Sequence, residues 1–225
     1  MFIESLAEGK ENFELVDECN VYEHLGVDIQ THSDVSCDLK QPYLKQSIIQ
    51  ELKMSAVDTQ KKPIPVATPF LHKCLQGYEK IKSWNYRSIM CMLTYLLETS
   101  RPDISMVIYQ CARFYVEPKL SHERVVTRIG RHLIDTLDRG LVYKTNRLKG
   151  LECFVDAVFY GGLNYDDPLN PENVIQRTGF VIMYSGIPVF WSSKLQTEID
   201  LSTCEAEYIA LSTAMREIIP LIKSL

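Results

Sequence analysis

Apolar residues recur every three or four positions through the middle of the chain, and shorter apolar runs bounded by turn residues follow in its last third. The first pattern is typical of α-helices and the second of β-strands. Helices are predicted over 41–54, 84–98, 102–116 and 121–137, with Pro42 in the first turn of the shortest. Strands are predicted over 151–162, 178–186 and 187–196, and a tight hairpin turn at Ser185 and Gly186 joins the last two.

The N-terminal part has fewer elements. Residues 13–40 are predicted to form a short strand pair around a polar turn at 31–34, and the proline-rich segment 58–69 an extended linker. A further helix is predicted to begin near Ser202, after the third strand. The predicted fold class is therefore α+β, with a mostly helical region over 1–149 and a strand-strand-strand-helix unit over 150–225.

The helix over 121–137 has two distinct sides. Its apolar face is formed by four residues: Val126, Ile129, Leu133 and Leu137. Arg124, Arg128 and Arg131 lie within about 60° of each other on the opposite face, where they can meet the phosphates of a duplex. An ordinary solvated helix face is the alternative, and Asp135 on the same side favours it.

Two glutamates lie near the start of the last helix. Ser202 and Glu205 fit a capping box, in which the glutamate reaches back to the N–H of the cap residue. On a helical wheel, Glu207 falls in the middle of a different, apolar face: Leu211, Ala214, Ile218 and Leu221. An unpaired carboxylate on such a face is costly, so Glu207 is predicted to have a partner.

Asp156, in the strand "CFVDAVF", is the best candidate for that partner. Acids are disfavoured inside strands, so Asp156 also needs an explanation. The two residues explain each other if they bind one hard cation, because oxygen ligands suit Mg²⁺ or Mn²⁺, and such ions support phosphodiester hydrolysis. Two unrelated acids are the alternative, since the sequence shows no third ligand.

The net charge of −5 divides into three blocks: −9 over residues 1–39, +10 over 40–149 and −6 over 150–225. A basic middle indicates a segment that binds polyanions, unless the blocks pair with each other. Seven cysteines without C-x-x-C spacing favour a reducing compartment. No apolar run is long enough for a signal peptide or a membrane span, so an intracellular, cytoplasmic protein without a membrane segment is expected.

Several longer stretches resemble a known family. "FVDAVFYGG", "RTGFVIMYSGIPVFWSSKLQ" and "LSTCEAEYIALSTAMREIIPL" are similar to the RNase H domain of copia-type retrotransposon Pol polyproteins. "FELVDECNVYEHLGVDI", "NYRSIMCMLTYLLETSRPDISMVIYQCARF" and "HERVVTRIGRHLIDTLDRGLVY" resemble the C-terminal part of the adjoining reverse transcriptase. The resemblance covers almost the whole chain, in order. It implies a reverse transcriptase thumb and connection segment over 1–149 and a truncated RNase H domain over 150–225.

By the same resemblance, Asp156 and Glu207 match catalytic, metal-binding acids of RNase H, Mg²⁺ or Mn²⁺ is the implied cofactor, and RNA–DNA hybrid or duplex is the implied partner. The polymerase motif Tyr-x-Asp-Asp and the later RNase H acids have no counterpart in this sequence. Val158 and Asp200 also depart from the family pattern. The expectation is therefore a Pol fragment whose ancestral role was RNA-templated DNA synthesis and hybrid cleavage, now inactive. A nucleic-acid-binding remnant without chemistry, and a weak nuclease completed by a second chain, are the alternatives.

Overall fold

The computed structural model describes residues 23–54, 71, 73, 77–158 and 175–224. In these ranges the chain forms five α-helices and two antiparallel sheets, so the predicted mixture of helices and antiparallel strands is confirmed. The linker predicted over 58–69 lies outside the described residues. None of the described helices has the length and apolar character needed to cross a bilayer.

The first sheet has four strands in the order β1 (Glu23–His24), β2 (Val27–Thr31), β3 (Cys37–Lys40) and β4 (Leu141–Tyr143). The strand pair predicted within 13–40 expects one strand before the polar turn, and this is wrong, because a turn at Leu25 and Gly26, with φ of 52° and 74°, divides that stretch into β1 and β2. The sequence pattern also does not predict the short β4. A Cβ atom on Gly140 would lie 2.1 Å from the carbonyl oxygen of Leu39, so glycine is needed where the chain enters this strand.

Four helices cover the basic middle of the chain: α1 (Pro42–Glu51), α2 (Tyr86–Thr99), α3 (Ser105–Ala112) and α4 (Leu120–Asp135). Pro42 is in the first turn of α1, as predicted. The side chain of Asn85 caps α2 by accepting a hydrogen bond from the backbone N–H of Ser88 (3.1 Å). The helix predicted over 102–116 begins instead with a 3₁₀ turn (Pro102–Ile104) and ends at Ala112.

The second sheet has three strands in the order β5 (Leu151–Val158), β6 (Arg177–Tyr184) and β7 (Ile187–Leu195). Ser185 and Gly186 form the predicted hairpin turn, with φ of 51° and 80°. The final helix, α5 (Thr203–Ser224), packs on β5 and β6. Pro220 lies inside this helix and removes one of its backbone hydrogen bonds.

Two apolar clusters hold these elements together. The larger one is built from all four helices of the basic middle, and its fully buried residues include Ile48, Ile89, Leu93, Leu96, Leu97, Ile104, Ile108, Val126, Ile129 and Leu133. The smaller cluster lies between α5 and its sheet and contains Phe180, Ile182, Ala214 and Ile218. Trp191 of β7 belongs to the larger cluster, so the second sheet contributes a side chain to the helical core. The predicted division at 149/150 stays a prediction.

A buried arginine connects α3 to the end of α4. Arg101 is 1 % exposed and donates from Nε and Nη2 to the two carboxylate oxygens of Asp103, each at 2.7 Å. Its guanidinium also donates to the hydroxyl (2.9 Å) and the carbonyl (3.2 Å) of Thr136. Nε2 of His132 lies 3.2 Å from the same carboxylate. Arginine suits this position because its planar fork satisfies a carboxylate and a helix end together.

A second cation binds the same helix end. Lys45 of α1 is buried, and its ammonium donates to the carbonyl oxygens of Leu137 (2.6 Å) and Arg139. Burial lowers the pKa of Lys45 to about 8, and the charge of Arg101 acts in the same direction. At neutral pH the ammonium is therefore still charged, and it holds the turn that follows α4 through two backbone carbonyl groups, near the negative end of the helix dipole.

We expect Asp103→Asn to lower the free energy of unfolding at pH 7 by about 1 to 3 kcal/mol, less than for a fully buried pair because Asp103 is 39 % exposed. Burial raises the pKa of Asp103, but hydrogen bonds from Arg101 and His132 outweigh it and hold the pKa well below its usual 3.8. This stabilisation is therefore present above about pH 4 and lost below it. In urea unfolding between pH 7 and 3, the difference in free energy of unfolding between the two proteins should become smaller as the pH falls.

Glu51→Gln is the control, because Glu51 is an exposed acid at the end of α1. Its free energy of unfolding should equal that of the unmodified protein at every pH. Equal stability of Asp103→Asn and the unmodified protein at pH 7 would show that the ion pair does not support the end of α4.

Candidate nucleic-acid interface

The predicted arginine stripe lies on α4. Lys119 precedes this helix, and its backbone N–H donates to Nδ1 of His122 (2.9 Å), whose ring stacks on Phe114 with centroids 3.9 Å apart. Val126, Ile129 and Leu133 point into the core, as predicted. The opposite side of α4 is therefore directed outwards, and it carries Arg124, Arg128 and Arg131.

All three arginines line one groove of about 560 Å³, together with Lys82 from the segment before α2. The other residues of the groove are Met54, Ile81, Leu120, Glu123, Val125 and Thr127. Lys82 could not be assigned to this site from the sequence, because it lies 38 positions before the start of the helix and no local motif connects them. The structure thus adds a fourth cation to the predicted stripe.

Among the described residues, no salt bridge involves Lys82 or any of the three arginines. Arg124 and Lys82 are exposed, whereas Arg128 and Arg131 are half-buried, and their buried Nε atoms have no hydrogen-bond partner in the described part of the chain. Glu123, the acid that the described residues contribute to the groove, is 4 % exposed and accepts a hydrogen bond from the backbone N–H of Lys82 (2.7 Å). The groove therefore presents cationic groups to an external anion.

Asp156 lies on the opposite face of the second sheet from α5. Side chains alternate between the two faces of a strand. Val155 pairs with Phe180 and packs with the cluster beneath α5, whereas Asp156 pairs with Gly179 and points to the other side. There it lines a pocket of about 340 Å³ with Asp103. Asp156 itself is exposed.

Glu207 is also exposed, and its predicted position in the middle of the buried face is wrong. The buried face of α5 is formed by Ala206, Ala210, Ala214 and Ile218, and its centre is about 40° from Glu207. An exposed carboxylate needs no partner. The structure therefore removes the burial argument for pairing Glu207 with Asp156, and it does not bring the two side chains to one face of the sheet.

Glu205 acts as a capping residue. Its backbone N–H donates to Oγ of Ser202 (3.2 Å), as the capping box predicts. Its carboxylate reaches one residue further back than predicted and accepts from the backbone N–H of Leu201 (2.7 Å).

Among the described residues, no group of three or more His, Cys, Asp or Glu side chains is arranged to hold a metal ion. The predicted Mg²⁺ or Mn²⁺ therefore has no ligand set to which it can be assigned in this part of the chain. The catalytic and metal-binding roles of Asp156 and Glu207 continue to rest on the family resemblance and stay a prediction.

Comparison with known proteins gives several relatives. A Saccharomyces cerevisiae protein whose name assigns it to transposon Ty5-1 is 34 % identical over 134 residues, 59 % of this chain and 41 % of that protein. The retrovirus-related Pol polyprotein from transposon RE2 of Arabidopsis thaliana is 28 % identical over 161 residues, 68 % of this chain and 10 % of the polyprotein. Over more than half of its length, the chain is thus similar to proteins of retrotransposons, Pol polyproteins among them.

An uncharacterized mitochondrial protein of Arabidopsis thaliana is also similar, at 27 % identity over 92 % of this chain and 80 % of that protein. The chain spans 41 % of the Ty5-1 protein and 10 % of the RE2 polyprotein, so it corresponds to a part of these Pol-type relatives. No family model matches the chain. No solved structure matches it either.

One buried acid lies just before α5. Asp200, which departs from the pattern of the family that the sequence resembles, is 5 % exposed, and among the described residues neither of its carboxylate oxygens has a hydrogen-bond partner. Burial raises its pKa, and the charges of Glu205 and Glu198 add to the effect. An apolar or small residue at this position would avoid that cost, which explains physically why an acid is unexpected before this helix.

We expect Asp200→Ala to raise the free energy of unfolding at pH 7 by about 1 kcal/mol, because it removes a buried carboxylate without partners. A raised pKa in the folded state means that the penalty exists only where the unfolded chain is ionised. The gain should therefore be present above about pH 4 and disappear as the pH falls below it. Glu207→Gln changes an exposed acid of α5, the helix that follows Asp200, and should leave the free energy of unfolding unchanged in the same urea titrations. A destabilised Asp200→Ala would mean that the carboxylate has a favourable role.

Proposed function

We propose that this chain is a nucleic-acid-binding part of a retrotransposon Pol polyprotein, and that it holds RNA–DNA hybrid or duplex through the phosphate backbone. The observation that supports this most directly is the groove on α4, where Arg124, Arg128, Arg131 and Lys82 converge without salt bridges to any described residue. Unpaired cations in one groove are expected to attract a polyanion, and phosphates are its commonest form in nucleic acids.

The spacing of the arginines is compatible with this ligand. Arg124 and Arg131 are seven residues apart, which is about 10 Å along the helix axis, or about three base-pair steps of a duplex. Arginine binds phosphate oxygens through two parallel hydrogen bonds, so each guanidinium can hold one phosphate. Such contacts fix the position of the duplex but do not read its sequence.

The charge distribution also supports the proposal. Residues 40–149 carry a net charge of +10, whereas both flanking regions are acidic. The excess of positive charge thus occurs in the region that contains the groove. The finer assignment, to the thumb and connection of a reverse transcriptase followed by an RNase H unit, rests on the sequence resemblance and is proposed on that basis.

Changing Arg124, Arg128 and Arg131 together to Gln should weaken binding of a short RNA–DNA hybrid by about tenfold or more at low salt. The reason is that three phosphate contacts, and the counterions that they release, are lost. The loss should be similar for unrelated sequences, and the slope of log K against log salt should fall by about three. Fluorescence anisotropy over a series of salt concentrations measures both quantities.

The matched control changes three other exposed cations, Lys144, Arg147 and Lys149, to Gln. They lie between β4 and β5, away from the groove, and the change in net charge is the same. If both triple variants lose affinity equally, net charge explains the binding and the groove is not the site.

We further propose that this part of the polyprotein binds hybrid without cutting it, because its described acids do not assemble into a metal site. Incubation with a labelled hybrid and Mg²⁺ or Mn²⁺ should give cleavage no faster than the buffer control. Cleavage that is abolished by Glu207→Gln and by Asp156→Asn, but kept in Glu205→Gln, would contradict this and support the nuclease alternative.

A further inference from the structure

The outward side of α5 carries a continuous apolar stripe. Its members are Tyr208, Leu211, Met215, Ile219 and Ile222, and each is between 41 % and 73 % exposed. They lie within about 80° of one another on the helix and extend about 21 Å along it. The buried face of α5 is about 120° away, so the stripe is not the surface that packs on β5 and β6.

We propose that this stripe, defined by those five residues, is the contact surface for a second copy of the chain, with the two α5 helices antiparallel. The first argument is the symmetry of the stripe about Met215. Leu211 and Ile219 lie four residues before and after it, and Tyr208 and Ile222 seven residues before and after it. A two-fold axis at Met215 therefore places each apolar side chain opposite an apolar side chain of the second copy.

Charge complementarity is the second argument. Glu205 and Lys223 lie about 80° to the same side of the stripe, near opposite ends of α5. Antiparallel helices related by a two-fold axis bring the same flank of both copies together. Glu205 of each copy therefore comes beside Lys223 of the other, offset by about 3 Å along the axis. Among the described residues, neither side chain is in a salt bridge within the chain.

The charges also select the antiparallel orientation over the parallel one. In a parallel pair, opposite flanks meet, which brings Glu205 close to Glu207 of the second copy, and these like charges repel. In the antiparallel pair, the two Arg216 side chains lie on one flank near the axis. Their repulsion is small because these long side chains are exposed and screened by solvent.

Sedimentation velocity of the full chain, at concentrations on the order of 1 to 100 μM, tests the proposal. The unmodified protein should form a dimer in this range, and Met215→Glu should weaken the dimer at least about tenfold, because it places two carboxylates against each other at the axis. Val116→Glu is the matched control, since Val116 is 98 % exposed and lies outside the stripe. Circular dichroism confirms that each variant is folded.

The register is tested by mixing two variants. Tyr208→Glu and Ile222→Lys should each impair dimerisation alone, whereas their equimolar mixture should form a heterodimer, because the new Glu and Lys face each other only in the antiparallel pair. If Met215→Glu does not fold, the mixture of the two variants tests the dimer in its place. An unmodified chain that stays monomeric at about 100 μM, a Met215→Glu dimer as tight as the unmodified one, or a mixture that stays monomeric would each overturn the proposal. Binding of the stripe to lipid vesicles without dimerisation would overturn it as well.

Discussion

The end of α4 is the point on which the rest of the helical region depends. The last carbonyl groups of a helix have no partners within it. Two buried cations contact the backbone where α4 ends: Arg101 donates to the carbonyl of Thr136, and Lys45 donates to the carbonyl of Leu137. One of them belongs to α1 and the other to the turn before α3, so a single helix end connects three elements. Buried cations are costly unless paired, and Asp103 supplies the pairing charge for Arg101. Removing Arg101 or Asp103 therefore leaves a charge uncompensated, whereas removing Lys45 leaves two carbonyl groups without their donor.

The fixed end of α4 also helps to orient the proposed binding surface, the arginine groove on this helix. The other end of α4 is fixed by the stacking of His122 on Phe114, and apolar residues anchor its inner side throughout. A helix that is held at both ends and along one face cannot rotate, so Arg124, Arg128 and Arg131 keep their direction without a ligand. Binding then orders side chains but not the backbone, which reduces the entropic cost of contacting a duplex.

The sequence was informative wherever local pattern decides structure. Helices with a clear 3.6-residue period, the turn at Ser185 and Gly186, and the outward direction of the arginines were all predictable, because each depends on neighbours in the chain. Features that depend on contacts between distant segments were not predictable. Lys82 lines the groove from a segment that is distant in the sequence. The side chain of Trp191, in β7, packs in the helical core. Neither has a local signature, since tertiary packing alone brings these side chains to their positions.

The position of Glu207 shows a subtler limit. Hydrophobicity ranks leucine and isoleucine above alanine, so the wheel centred the buried face of α5 on Glu207, between Leu211 and Leu221. The structure keeps Ala214 and Ile218 on the buried face but adds Ala206 and Ala210, because small residues let a helix approach a sheet closely enough to pack on it. The larger apolar residues are consequently left facing outwards, where they cannot be explained by the fold of one chain. The same observation that weakens the two-carboxylate site thus identifies the surface by which two copies are proposed to meet.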